Sequence, residues 1–147
     1  FSQNTSLDKK RLERLFKVSD INNMKTLTKQ AIEFSKKELG INAEIKVANI
    51  KESKGQVASM AKTGGSYTLF IDEDSIKYAV VSAVCHEMTH VAQMERGDLK
   101  QEKGLKIWKG VAMTQAEYNA QYHSEDGIEF ENEAFEMQRK LASKFWE

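Results

Sequence analysis

Residues 86 to 90 read His-Glu-Met-Thr-His, an H-E-x-x-H pattern in a chain with only three histidines. On a helix His86 and His90 stand four residues apart, so both imidazoles project from one side, one turn apart. That spacing suits two ligands of a single tetrahedral zinc ion at about 2.0–2.1 Å each. Glu87 directly follows the first ligand, where its carboxylate can take a proton from an attacking water without ligating the ion. The bland alternative is two histidines sharing a turn by chance. Shuffling this composition gives the pattern in only about half a percent of sequences, and chance matches fall mostly in polar segments. Here Val80-Val81 precede it and Val91-Ala92 follow.

A catalytic zinc takes three protein ligands and keeps a position open. His123 is the one remaining histidine, in a stretch that reads as a polar loop. The longer H-E-x-x-H-x-x-G-x-x-H pattern fails, because Gln93 and Arg96 hold its last two positions. A carboxylate is the alternative, and the late segment EFENEAFEM offers Glu129, Glu131, Glu133 and Glu136. At about 100° per residue, Phe130, Ala134, Phe135, Met137, Leu141, Ala142 and Phe145 define an apolar face. Glu131 lies about 50° from its centre, Glu133 about 110° and Glu129 about 150°. An inward carboxylate needs a compensating charge, which a metal ion supplies. Glu131 is therefore the first choice, with Glu133 and Glu129 as alternatives. Glu129 and Glu136 fit a solvated face best.

Elements must hold these groups. Val81, Val84, Met88 and Val91 make one buried stripe of a helix expected from Ile76 to about Glu95, beside a stripe of Ala83, His86, Glu87 and His90. Asp72 to Ser75 are expected to cap its start and Gly97 its end. Upstream, Leu7 to Val18 has helical spacing behind Ser6, and a second helix is expected from Asn23 to Leu39, ended by Gly40. Alternation at Ala43, Ile45 and Val47 reads as a strand, as do Val57 to Ala61 and Tyr67 to Ile71, the last two joined by a Gly64-Gly65 turn. Leu105 to Trp108 reads as a short strand or loop, and a last helix is expected from Ile128 to Phe145. Cys85, Met88 and Met94 read as core, and Trp108 as a packing anchor. Lys100 to Lys109 reads as a charged surface stretch with no specific partner. The expected fold class is α+β in a single domain spanning residues 1–147.

Composition narrows the partners. Charged residues make up 30% of the chain, yet the net charge is zero, so nothing favours nucleic acid or an anionic membrane. No apolar run approaches the roughly 18 residues of a membrane span. The lone Cys85 excludes an intramolecular disulfide. A soluble protein, cytoplasmic or virion-associated, is expected rather than a secreted, disulfide-bonded one. The start at Phe1 rather than Met reads as a trimmed or processed product, from which a targeting segment could have been removed. The complete lack of proline has no physical explanation here.

HEMTHVAQMERGDL, then Trp108-Lys109-Gly110, then Tyr122, then EFENEAF resembles the small phage-type zinc metallopeptidases. These belong with the thermolysin-like gluzincins, which take two His and one Glu as ligands. The resemblance covers roughly Tyr67 to Leu141. It implies a minimal zincin-like fold, with a small antiparallel or mixed sheet on the H-E-x-x-H helix and the C-terminal helix. A small residue often follows the ligand glutamate by three positions, as Ala134 follows Glu131, although Asn132-Glu133-Ala134 also matches the thermolysin ligand string. Family members often carry Pro where this chain has Glu129.

The resemblance further implies a Tyr or His donor for the developing oxyanion: Tyr122 first, His123 second, Tyr118 a weaker option. It implies an edge strand for the substrate above the metal, placed at Gly65 to Phe70. The activity implied is zinc-dependent hydrolysis of a polypeptide by an endopeptidase, with Glu87 as base. Two alternatives stand beside it. One is a non-catalytic, metal-stabilised interaction module, the other a hydrolase of peptide cross-links in a cell wall.

Overall fold

The helical spacing of Leu27, Ala31 and Ile32 is realised as helix α1 (Met24–Leu39), which buries those three side chains. The structure, a computed structural model, describes residues 24–50 and 56–147, so the helix expected over Leu7 to Val18 lies outside the described residues. Gly40 ends α1 with φ of +70°, and the Ile41 amide turns back to the Lys36 carbonyl at 2.9 Å. This left-handed residue satisfies carbonyls that the helix itself leaves open.

Three strands follow: β1 (Glu44–Ile50), β2 (Ala58–Thr63) and β3 (Ser66–Asp72). β2 and β3 form the expected hairpin, with Thr63 opposite Ser66 and Gly64 at φ of +62° in the two-residue turn. β1 pairs with β3 in parallel, which gives a mixed sheet in the order β1-β3-β2. β3 is thus the central strand and buries Tyr67, Leu69 and Ile71 on one face. The expectation that Gly65 to Phe70 offers an edge to substrate is corrected here. Both of its edges are already paired, and among the described residues the strand with a free edge on that side is β2.

Helix α2 (Lys77–Glu95) carries the H-E-x-x-H residues. It packs against the sheet, α1 and the later helix α4 (Glu129–Phe145). Val80, Val81, Val84, Cys85, Met88 and Val91 are fully buried along it. Its start differs from expectation. The Asp72 carboxylate is engaged in its own turn, on the Asp74 amide and the Ser75 hydroxyl, each at 3.0 Å. The helix therefore begins two residues beyond Ser75, with Ile76 in the cap position and no side-chain cap. Its end is as expected. Gly97 (φ +84°) donates to Met94, and Asp98 donates to the Gln93 carbonyl, which together make a Schellman motif.

A second, antiparallel sheet runs β4 (Leu99–Glu102), β5 (Leu105–Trp108) and β6 (Val111–Met113). The turns between them are Lys103-Gly104 and Lys109-Gly110, with all four residues at positive φ between 50° and 86°. Paired left-handed residues match the twist of a two-residue hairpin. Helix α3 (Gln115–Tyr122) starts at a capping box of Thr114 and Glu117 and ends at His123, so the stretch before His123 is helix rather than loop. Leu99, Ile128 and Phe130 form a small core with Trp108, Met113, Tyr118 and Met94 around it. That core fastens the first turn of α4 between α2 and the second sheet. The architecture is α+β, with four helices and two three-stranded sheets among the described residues. None of these helices is long and apolar enough to cross a membrane.

Candidate metal centre

Two helices far apart in sequence meet at one point. The Nε2 atoms of His86 and His90 lie 3.2 Å apart, and each lies 3.0 Å from Oε1 of Glu131. A tetrahedral ion with ligands at about 2.0–2.1 Å has ligand–ligand edges of roughly 3.3 Å. The triangle formed by these three atoms is close to one face of such a tetrahedron. The donor set therefore fits a divalent ion that accepts imidazole and carboxylate ligands.

The hydrogen-bond network fixes which nitrogen of His90 faces the centre. Gln93 is fully buried, and its amide Nε2 donates to the Phe130 carbonyl at 3.0 Å and to Glu133 Oε1 at 2.7 Å. Both partners only accept, so the amide oxygen must be the atom that faces His90 Nδ1, at 2.8 Å. His90 Nδ1 then carries a proton and donates it, which leaves Nε2 with its lone pair toward the centre. On His86, Nδ1 meets Gln138 Oε1 at 3.0 Å and is oriented in the same way. Partners of this kind hold an imidazole at the correct angle for a metal and raise its basicity.

Glu131 is buried beside these rings, and its second oxygen accepts the Tyr118 hydroxyl. Burial alone would raise its pKa, but the neighbouring imidazoles of His86 and His90 and the bond from Tyr118 hold the carboxyl well below the usual range. Burial works to lower the pKa of His90, and its contacts with Glu131 outweigh that and raise it. Two lone pairs and an anionic oxygen thus converge on a spot that calls for positive charge. Glu87 accepts no hydrogen bond from any other described residue. Burial pushes its carboxyl pKa up, against the opposing pull of His90 and His86.

The centre lies in the wall of a cleft of about 770 Å³, lined by His86, Glu87, His90 and Glu131 and, opposite, by residues 56–60 at β2. Tyr122 and His123 line the same cleft. Tyr122, preferred from the sequence as oxyanion donor, is 40% exposed and has no hydrogen-bond partner among the described residues. Tyr118, the weaker option, is the phenol committed to Glu131. Phe135 packs its ring 4.5 Å from that of His86.

No family model, curated protein or solved structure matches the chain at a significant level. The chemistry of the site has to be read from its own atoms.

Among the alternatives for the third position, the geometry separates Glu131 from its neighbours. Glu133 binds Gln93 and Arg96, the latter at 3.2 Å, and so supports His90 through Gln93. Glu129 is exposed and pairs with Lys109 at 3.6 Å. Sequence reasoning missed the orienting roles of Gln93 and Gln138. Gln93 lies three residues after His90 and Gln138 two turns after Glu131, so their spacing on the ligand-bearing helix faces was the available signal. Reasoning also missed that Lys100 and Lys106 line the cleft, because the surface stretch expected over Lys100 to Lys109 folds into the β4–β5 hairpin.

Proposed function

We propose that the protein is a zinc-dependent endopeptidase. One observation supports it above the others. Three ligand atoms at tetrahedral spacing lie in the wall of an open cleft, and the uncommitted carboxylate of Glu87 lines that cleft beside them. A structural zinc is closed by a fourth protein ligand, and only three metal-ligating groups gather here among the described residues. The metal-staple reading is the weaker one for that reason. Zinc, with its imidazole and carboxylate ligands His86, His90 and Glu131, would supply Lewis acidity and bring the pKa of a water to about 7.

The chain's own residues do the rest. Glu87 accepts a proton from the attacking water and returns it to the leaving amine. Tyr122, with His123 beside it, donates toward the oxyanion that develops on the carbonyl. Gln93 and Gln138 keep the two imidazoles in the ligating tautomer. The free edge of β2 is the element able to pair with an extended polypeptide, replacing the β3 edge expected from sequence. A cell-wall peptide cross-link would meet the same groups, and no feature of the cleft favours it over a protein chain.

The test is Glu87→Gln, which keeps size and hydrogen bonding but removes the base. Zinc should remain near one per chain, while hydrolysis in a peptide-library digest should fall at least about a hundredfold. A zinc-loaded variant with undiminished activity would exclude the mechanism.

A further inference from the structure

The lysines lining the cleft do not pair with its carboxylates. Its carboxylates are Glu87 and Glu131, both beside the imidazoles, and two lysines, Lys100 and Lys106, line it as well. Other basic residues nearby are engaged: Arg96 with Asp98 and Glu133, Lys109 with Glu129. Lys100 and Lys106 have no ion-pair partner among the described residues. Strand register accounts for this: Lys106 lies opposite Gln101 and Met113, and Lys100 opposite Ile107, which sets the two side chains on opposite faces of the sheet. No carboxylate stands directly across from either.

Lys106 is only half exposed, and its ammonium sits 4.8 Å from the centroid of the Tyr118 ring. That is the ring whose hydroxyl holds Glu131, so this charge stands one side chain away from the ligand carboxylate. A partly desolvated ammonium on an aromatic face, without a counter-ion, favours an anion brought by a ligand. The net charge of the chain is zero, so Lys106 is a local feature rather than part of a basic surface suited to a polyanion.

We infer that the Lys106 side of the cleft is a subsite for a carboxylate of the substrate, carried close to the bond to be cleaved. This rests on the peptidase reading for its substrate class. The carboxylate can come from an acidic side chain or from a free C-terminus, and the two sources are distinguished below. Lys106 is the contact, since its side chain shares the sheet face of Gln101 and reaches Tyr118, whereas Lys100 belongs to the other face.

The experiment uses the full chain as its Glu87→Gln variant, with and without added zinc. Its probes are blocked, fluorescein-labelled hexapeptides that are identical except for Glu, Gln or Lys scanned through each position. A matched pair with a free or an amidated C-terminus completes the set. At low salt the best Glu peptide should bind about fivefold or more tightly than its Gln twin, the margin expected of a charge-assisted over a neutral hydrogen bond. Lys106→Gln should abolish that margin, and raising the salt should shrink it. A margin confined to the free-acid pair would assign the subsite to a C-terminus.

Equal binding of Glu and Gln peptides together with equal binding of acid and amide, a margin that survives Lys106→Gln, or no binding at all would overturn the inference. Hydrolysis of the same peptides by the unmodified protein reports separately on the peptidase reading. Preference without hydrolysis removes the activity and keeps the subsite. Hydrolysis without preference does the reverse.

Discussion

Replacing Gln93 with leucine should damage metal binding and folding through a residue that is not itself a ligand. The side chain is fully buried and joins three groups: His90 Nδ1 at 2.8 Å, the Phe130 carbonyl at 3.0 Å and Glu133 Oε1 at 2.7 Å. Leucine is of comparable size, so the effect should be polar rather than steric. Glu133 keeps Arg96 as a partner and is partly exposed to water. His90 Nδ1 is left buried without a partner, at about 1–3 kcal/mol, while the Phe130 carbonyl keeps its bond within α4. The metal-free protein should therefore lose roughly 1–3 kcal/mol of stability. Zinc affinity should fall about 10–100-fold, as for loss of a group that orients a ligating imidazole. Urea unfolding in the presence of chelator measures the first, and competition against a chromogenic chelator measures the second. Gln93→Leu/Glu133→Leu should cost less than the sum of the single variants, because the Gln93–Glu133 bond is removed in both. A Gln93→Leu protein that binds zinc as tightly as the parent would refute the assignment of the His90 tautomer.

Glu131→Ala should cost more zinc affinity than any loss of a supporting residue, Glu133→Ala an intermediate about 10–100-fold, and Glu129→Ala almost nothing; zinc titrations that reverse the first two would move the ligand by two residues. Chelation should lower the melting temperature of the zinc-loaded protein, since an ion that binds only the folded state stabilises it. Tyr67→Phe should cost about 1–2 kcal/mol near pH 8, because it removes the bond to Glu95. Burial and that carboxylate raise the Tyr67 pKa in the folded state. The benefit is thus whole below the unfolded value of about 10 and is lost as pH rises through the folded one; a gap between parent and variant that stays constant above pH 10 would contradict this. Gly127→Ala places a Cβ 2.8 Å from Asn132 Oδ1 at φ of +68° and should destabilise by about 1–3 kcal/mol; unchanged urea unfolding would show that the loop absorbs it.

The ligand helix was legible because four-residue spacing puts His86 and His90 on one side whatever surrounds them. Glu131 could be ranked first because a helix face is arithmetic, and Phe130, Ala134, Leu141 and Ala142 do lie inward. Tertiary partners set what was not legible. β1 pairs in parallel with β3 across the intervening β2, and no local pattern states that crossover, so the substrate edge was drawn on the wrong strand. β4 and β6 have only four and three residues, too few for alternation to show. Their signal was instead the Lys-Gly pair at 103–104, repeated at 109–110. The start of α2 was misplaced because Asp72 had a choice between capping a helix and closing its own turn.

Gln93 closes the end of α2 with its carbonyl while its side chain orients His90, and this makes the centre portable. Residues 86–98 contain His86, Glu87, His90, the orienting amide of Gln93, the helix stop and the Arg96 brace. Residues 128–138 contain Glu131, both acceptors for Gln93 and the partner of His86. Only the Tyr118 hydroxyl comes from elsewhere. Two short stretches and one tyrosine could thus be transplanted onto another scaffold that presents two helices at this spacing. Conversely, a chain cut at the Lys103-Gly104 turn would separate His86 and His90 from Glu131, and a metal ion held by all three would become the agent that rejoins the fragments.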